Sequence, residues 1–191
     1  LLAGKLSIVG TPIGNLSDAS PRVKETLAAA DVILCEDTRV TSKLLSAFDI
    51  HVPLQRCDQN IIESQIEPTL ERLRAGQRVA FVSDAGMPGI SDPGQHLVDA
   101  ALSDGLATEV IPGPSAVTCA LVASGLASDH FFFEGFLPRK HGQIVQRLQQ
   151  LAQIPGTIVL YESPFRVLAT VEAIAEVFPT RQVALVRELT K

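Results

Sequence analysis

The chain has 191 residues, 46% of them hydrophobic, which is enough for one or two α/β domains with well-packed cores. Its 16 basic and 21 acidic residues give a net charge of −5, which excludes a surface that is basic throughout. The three cysteines form no Cys-x-x-Cys pair, so no zinc ribbon or disulfide framework is predicted, and a reducing, cytoplasmic location is expected. No apolar run reaches the roughly 18 residues of a membrane helix, and Leu1–Ala3 are too short for a signal-peptide core.

Short apolar runs alternate with helical patterns over the first 124 residues. Strands are predicted at 6–9, 32–35, 51–54, 78–82 and 108–111. Helices are predicted at 21–30, 41–48, 60–75, 95–103 and 115–124. Ser20-Pro21 is a helix-start signal, and Pro68 is expected to kink or divide its helix. This alternation predicts a parallel, doubly wound α/β sheet of about five strands.

A second α/β domain is predicted over residues 115–191, after an N-terminal domain of residues 1–114. Its predicted strands are 131–136, 157–161 and 183–186, and its predicted helices are 143–152 and 165–178. We expect a mixed sheet here. Because the last predicted strand has no covering helix after it, we also expect this domain to be incomplete in the chain.

Three loops rich in glycine and proline follow predicted strands, at residues 10–15, 83–94 and 112–115. The carboxyl ends of parallel strands lie at one edge of a sheet, where open α/β sheets bind ligands. Glycine lets the backbone approach a ligand closely, and proline limits the conformations of the loop. The three loops therefore predict a shared ligand site, with ordinary surface turns as the alternative.

The ligand is not identified by any common nucleotide motif. The first loop has three residues between Gly10 and Gly14, unlike G-x-G-x-x-G, and the chain has neither a P-loop nor a G-x-S-x-G elbow. Glu36 and Asp37 do end the second predicted strand, so a dinucleotide-dependent oxidoreductase remains an alternative. The four histidines lack metal-ligand spacing, so no metal site is predicted.

Eight motifs in chain order carry a resemblance to a known family. They are Gly10–Leu16, Glu36–Arg39, Ser83–Pro88, Asp92–Gly94, Pro112–Ala116, Glu134–Pro138, Tyr161–Pro164 and Arg187–Lys191. Together they resemble the tetrapyrrole (corrin/porphyrin) methylase superfamily, in particular its members that methylate ribosomal RNA. The resemblance covers essentially the whole chain. One departure is Phe165, where these members usually have histidine.

The resemblance implies two α/β domains with S-adenosylmethionine bound in a cleft between them. It implies methylation of the ribose 2′-hydroxyl of a cytidine in the decoding region of 16S rRNA, within the small ribosomal subunit. It also implies a homodimer and no membrane association. By similarity, the cofactor-binding residues are Pro12, Asp84, Met87, Ser115, Ala116 and Tyr161. The alternative for Asp84 is a turn-capping role within its own loop.

A ribose hydroxyl needs a base to remove its proton, and the candidate carboxylates at predicted strand ends are Glu36, Asp37 and Glu162. Arg39 and Arg166 are candidates for binding RNA phosphate, and Arg39 is also grouped with the catalytic residues. Structural ion pairs within 36–39 and 162–166 are the alternative. Within the same fold, a tetrapyrrole or another substrate remains an alternative to rRNA.

Overall fold

The computed structural model describes residues 4–191, which form two compact units. The first unit runs to Ala116 and includes Thr190–Lys191, and the second is Val117–Leu189. The prediction about a signal peptide concerned Leu1–Ala3, which lie outside the described residues. Within the described range, no helix has the length and apolar character needed to cross a bilayer.

A sheet of five parallel strands forms the centre of the first unit, with the strand order β3-β2-β4-β1-β5. The strands are β1 Lys5–Val9, β2 Val32–Cys35, β3 Leu54–Arg56, β4 Arg78–Val82 and β5 Ala107–Ile111. All four residues of β2 are buried, because helices cover both faces of the sheet. The predicted parallel, doubly wound sheet is confirmed.

Four helices cover this sheet: α1 Pro21–Ala28, α2 Thr38–Ala47, α3 Ile62–Arg74 and α4 Gly94–Ser103. Buried side chains of α1 and α2 pack with one face of the sheet, and those of α3 and α4 pack with the other. The predicted start of α1 is confirmed, since the Val23 N–H donates to the Ser20 hydroxyl at 3.3 Å.

Two predictions for this unit were wrong, and one alternative of a third was also wrong. Strand β3 begins at Leu54 rather than 51, because Pro53 has no N–H to donate to the ladder. Helix α2 begins at Thr38 rather than 41, because Asp37 caps it. Pro68 does not divide α3: the Ser64 carbonyl that loses its donor lies on the exposed side of the helix, where water can satisfy it.

The second unit contains two parallel strands, β6 Phe131–Phe136 and β7 Thr157–Tyr161. Its helices are α5 Ala116–Ser124, which begins at the unit boundary, α6 His141–Leu151 and α7 Val167–Val177. Helices α6 and α7 share one hydrophobic cluster, and α5 packs with Val159 in another.

The expected mixed sheet is not present in the described part of this unit, whose two strands are parallel. The predicted strand at 183–186 was also wrong, since these residues have no strand assignment. An apolar run becomes a strand only when a neighbouring strand accepts its hydrogen bonds, and Val183 and Leu185 are instead exposed.

Candidate functional site

Strands β1 and β4 lie side by side, yet their loops lead to helices on opposite faces of the sheet. The loop after β1 leads to α1, which packs with one hydrophobic cluster, and the loop after β4 leads to α4, which packs with the other. Such a switch point opens a crevice at the carboxyl ends of the strands, where ligands of open α/β sheets bind. The site predicted from the three loops therefore has its expected position in the topology.

The loops after β1 and β4 are joined to each other by their backbones. The Thr11 N–H donates to the Gly86 carbonyl at 2.9 Å, and the Gly86 N–H donates to the Thr11 carbonyl at 3.1 Å. Thr11 is only 1% exposed, and its hydroxyl has no hydrogen-bond partner among the described residues. A buried hydroxyl without a partner costs free energy, so its place beside the crevice is functionally informative.

The loop after β5 closes against the loop after β1 through two glycines. A Cβ on Gly113 would lie 2.7 Å from the carbonyl carbon of Gly10, and one on Gly10 would lie 2.6 Å from the Gly113 nitrogen. Only glycine at both positions allows this approach of two backbones. The Gly113 N–H donates to the Met87 sulfur at 3.2 Å, so residues of all three predicted loops meet.

Asp92 organises the long loop between β4 and α4. Its Oδ1 accepts hydrogen bonds from the Gly89 N–H at 2.6 Å and the Gly94 N–H at 2.9 Å. Burial raises the pKa of the Asp92 carboxyl, although these two N–H groups act in the opposite direction. The resemblance motif included Asp92, but sequence reasoning assigned it no role. Its position just before a helix and after glycines was the available signal.

Carboxylates also connect the loops after β2 and β4. The Asp37 N–H donates to Asp84 Oδ1 at 3.1 Å, and the Asp84 N–H approaches Glu36 Oε2 at 3.4 Å. Asp84 therefore accepts a hydrogen bond from a neighbouring loop, which disfavours the alternative that it only caps its own turn. Burial raises the pKa of the Glu36 carboxyl, and the nearby carboxylates of Asp92 and Asp84 add to this effect.

Asp37 differs from Glu36 because it has a cationic partner. Arg39 Nε and Nη2 donate to the two Asp37 oxygens at 3.0 and 2.7 Å, and the Arg39 N–H donates to Oδ1 at 2.8 Å. The hydrogen bonds from the Arg39 side chain and backbone lower the pKa of Asp37 to about 2. An ion pair thus does form within residues 36–39, between Asp37 and Arg39. Although it forms this ion pair, the Arg39 side chain is 86% exposed.

The predicted cofactor residues of the first unit lie on these same loops. Pro12 follows Thr11, Asp84 and Met87 lie on the loop after β4, and Ser115 and Ala116 follow the Gly113 turn at the start of α5. Their assignment to a cofactor stays a prediction.

No α-helix begins directly after the first glycine loop. A short 3-10 turn, Leu16–Asp18, follows it, and α1 begins only at Pro21. A dinucleotide fold places the pyrophosphate at a helix N-terminus that opens within its glycine motif. This arrangement disfavours the oxidoreductase alternative. Among residues 4–191, no group of three or more His, Cys, Asp or Glu side chains could hold a metal ion.

In the second unit, Glu162 and Arg166 belong to a structural network. Glu162 accepts hydrogen bonds from the Ser163 N–H at 2.8 Å and the Thr170 hydroxyl at 2.7 Å. Arg166 Nη1 lies 3.6 Å from Glu162, and Nη2 donates to the Pro138 carbonyl at 2.6 Å and the Leu137 carbonyl at 3.3 Å. The ion pair that was the alternative for Glu162 and Arg166 is present. The catalytic role of Glu162 and the phosphate-binding role of Arg166 stay predictions.

Tyr161 ends β7 and has two aromatic neighbours on β6. Its ring centroid lies 4.9 Å from that of Phe133 and 5.7 Å from that of Phe136, both in edge-to-face geometry. Burial raises the pKa of its hydroxyl, which a hydrogen bond with the Val117 backbone partly offsets. Phe165, at the position where the resembled family members usually have histidine, is 98% exposed.

Comparison with known proteins identifies the family. A family model for tetrapyrrole (corrin/porphyrin) methylases matches residues 5–191, and the chain belongs to this family. A relative from Synechocystis sp., named ribosomal RNA small subunit methyltransferase I, is 48% identical over 98% of this chain and 68% of its own length. A relative of the same name from Thermotoga maritima is 46% identical over 98% of this chain and 84% of its own. The resemblance to the rRNA-methylating members is confirmed.

Solved structures show the same fold at lower identity. The crystal structure of the methyltransferase CobJ matches with a TM-score of 0.66 and 22% identity, over 91% of this chain and 76% of that one. At this identity the match shows the fold alone.

Proposed function

We propose that this chain is an S-adenosylmethionine-dependent methyltransferase of small-subunit ribosomal RNA. The observation that carries the proposal is the 46–48% identity, over 98% of the chain, to two relatives named ribosomal RNA small subunit methyltransferase I. The motif resemblance supports the finer proposal, which is methylation of the ribose 2′-hydroxyl of a cytidine in the decoding region of 16S rRNA. Since that substrate is in the cytoplasm, we propose a cytoplasmic location. The homodimer stays a prediction.

The carboxyl edge of the first unit suits a methyl donor with polar groups. When bound, S-adenosylmethionine supplies an electrophilic methyl group. We propose that Pro12, Asp84, Met87, Ser115 and Ala116 hold it, and the assignment of Tyr161 to the donor rests on the resemblance. The unpartnered Thr11 hydroxyl supports a polar ligand at this edge, because a ligand oxygen or nitrogen would give it a partner.

Glu36 is the proposed general base. A carboxylate accepts a proton more readily when its pKa is raised towards the working pH, and burial raises the pKa of Glu36. Asp37 is a weaker candidate, because its hydrogen bonds with Arg39 lower its pKa to about 2. Glu162 already accepts hydrogen bonds from Ser163 and Thr170. Glu36 would accept the proton of the ribose hydroxyl, while the methyl group would pass from the donor sulfur to the 2′-oxygen and S-adenosylhomocysteine would leave.

Arg39 and Arg166 suit different tasks. Arg39 is exposed and forms its ion pair with Asp37, and exposed ion pairs are weak enough for a phosphate to compete. We therefore propose that Arg39 contacts substrate phosphate, next to the proposed base. Arg166 uses its guanidinium to hold the backbone of Leu137 and Pro138, which supports a positioning role instead.

The test uses the full-length protein, labelled S-adenosylmethionine and small ribosomal subunits from a strain without this gene. Ribose methylation blocks alkaline cleavage of the neighbouring phosphodiester, so the labelled nucleotide can be mapped. We expect label at one decoding-region cytidine. Binding of S-adenosylmethionine without transfer to the subunit would overturn the rRNA assignment, and tetrapyrrole acceptors would then be tested.

A further inference from the structure

A β-bulge in the second unit places an exposed aromatic ring in an unexpected position. Along β6 and β7, Phe133 pairs with Val159, but Gly135 pairs with Leu160, so Glu134 is the extra residue. Gly135 has φ +77°, a conformation that L side chains rarely adopt. Without the bulge, residues 133 and 136 would point to opposite faces of the sheet. With it, both share the face of Tyr161.

The three rings form a row from the interior to the solvent. Phe133 packs against the cluster of Val117 and Leu121, and Tyr161 contacts both phenylalanines. Phe136 is 59% exposed at the end of the strand. A large exposed ring held by edge contact with a second ring has a restricted orientation, which lowers the entropy cost of stacking a flat ligand upon it.

The loop that follows Phe136 is basic and firmly held. Arg139 and Lys140 are exposed on it, directly before helix α6. Arg166 fixes the loop by donating to the carbonyls of Leu137 and Pro138. The one acid within the bulge, Glu134, is neutralised by Arg147 through two hydrogen bonds of 2.6 and 2.7 Å. The charge beside the exposed ring is therefore positive, in a chain whose net charge is −5.

We propose that Phe136 is the ring on which an unpaired nucleobase of the RNA substrate stacks, while Arg139 and Lys140 contact the adjoining phosphates. An exposed aromatic ring combined with backbone-tracking cations is the pattern by which proteins hold single-stranded RNA. An enzyme that methylates a nucleotide within folded RNA must reach it in unpaired form, and stacking stabilises that form. This inference rests on the proposed function and adds a substrate-positioning residue to it.

The first test compares Phe136→Leu with Phe131→Leu, which removes another exposed ring from the same strand. Stacking of one base contributes about 1–3 kcal/mol, so we expect Phe136→Leu to raise KM for unmethylated subunits roughly 10-fold or more. The dissociation constant of S-adenosylhomocysteine should change less than twofold. Phe136→Tyr, which keeps a stacking ring, should restore KM, and Phe131→Leu should match the wild type.

The second test uses fluorescence, because the 191 residues contain no tryptophan. We expect a short unpaired RNA oligonucleotide to quench the emission of Phe136→Trp and to leave that of Phe131→Trp unchanged. An unchanged KM for Phe136→Leu in an enzyme that does methylate subunits would overturn the inference. A loss of S-adenosylhomocysteine affinity in Phe136→Leu as large as its rise in KM would also overturn the inference, since the ring would then contact the methyl donor. Failure of the wild type to methylate subunits would instead overturn the proposed function.

Discussion

In each unit the carboxyl ends of parallel strands lie at one edge, but different chemical groups form the two edges. In the first unit the edge is made of backbone: Thr11 bonds to Gly86, and Gly10 lies against Gly113. In the second unit it is made of side chains, with a partly exposed aromatic row and a loop held by Arg166. Close-packed backbone suits an invariant small ligand, whereas exposed rings and cations suit an RNA that must enter and leave. The predictions below test that division.

The largest expected effect is on catalysis, from Glu36→Gln. General-base catalysis contributes about 10²–10⁴-fold, so we expect kcat to fall by at least roughly 100-fold with little change in S-adenosylhomocysteine affinity. In the wild type, kcat/KM should rise with pH through the raised pKa of Glu36, because the base acts only after losing its proton. The variant should lose this dependence. The matched change Glu162→Gln should lower kcat less than threefold, and the reverse ranking would move the base to the second unit.

Gly113→Ala should disrupt the backbone edge. The new Cβ would lie 2.7 to 2.9 Å from backbone atoms of Gly10, which cannot rotate away as a side chain can. Overpacking of this kind costs about 1–3 kcal/mol of unfolding free energy, and the separated loops should bind S-adenosylhomocysteine at least ~10-fold more weakly. Urea unfolding and calorimetry measure the two effects. Gly142→Ala is the control, since a Cβ there would have no atom within 4 Å apart from its chain neighbours and the backbone of its own helix. Equal behaviour of the two variants would contradict this account.

The variant Arg166→Met tests whether Arg166 positions the loop at Leu137 and Pro138 or binds RNA phosphate. It removes hydrogen bonds to Leu137 and Pro138 and leaves Glu162 without its cation. Hydrogen bonds from charged groups contribute about 1.5–3 kcal/mol, so we expect the free energy of unfolding to fall by roughly 1–3 kcal/mol. Donor affinity should not change. A variant with full stability and weaker subunit binding would show instead that Arg166 contacts RNA directly. Arg39→Met, at an exposed pair, should leave stability unchanged.

The smallest expected effect is an increase in the free energy of unfolding, whereas Gly113→Ala and Arg166→Met lower it. Thr11→Val removes a hydroxyl that is buried without a partner, so we expect it to stabilise the fold by about 1 kcal/mol and to weaken S-adenosylhomocysteine binding several-fold. Thr69→Val is the control, because the buried Thr69 hydroxyl donates to the Gln65 carbonyl at 2.7 Å and its loss should destabilise. Thermal unfolding of both variants gives the signs. Destabilisation by Thr11→Val would mean that its hydroxyl has a partner in solution.

The limits of strands that are buried on both faces could be predicted from the sequence, whereas the limits of the edge strand β3 could not. Residues 32–35 and 79–82 are continuous apolar runs, and the strands predicted at 32–35 and 78–82 match β2 and β4. Strand β3 lies at the edge of the sheet, where pairing rather than apolarity sets its limits. The strand predicted at 183–186 was wrong for the same reason, because an apolar pattern does not show whether a neighbouring strand is available for pairing.

For the site, the loops were predictable but their contacts were not. Glycine and proline after each strand indicated residues 10–15, 83–94 and 112–115. Gly10, however, meets Gly113 because β1 lies beside β5 in the sheet. The order of strands in a sheet does not follow from their order in the sequence. The bulge at Gly135 was not predicted, because four phenylalanines in six residues favour a regular strand. The glycine inside that run was the available signal.

The central claim is that the loops after β1, β4 and β5 form the donor site. Hydrogen–deuterium exchange of the full-length protein, with and without saturating S-adenosylhomocysteine, tests it most directly. We predict slower exchange in residues 10–15, 83–94 and 112–116, and no comparable change with NADH. Protection confined to other segments, or protection of these loops by NADH alone, would contradict the account.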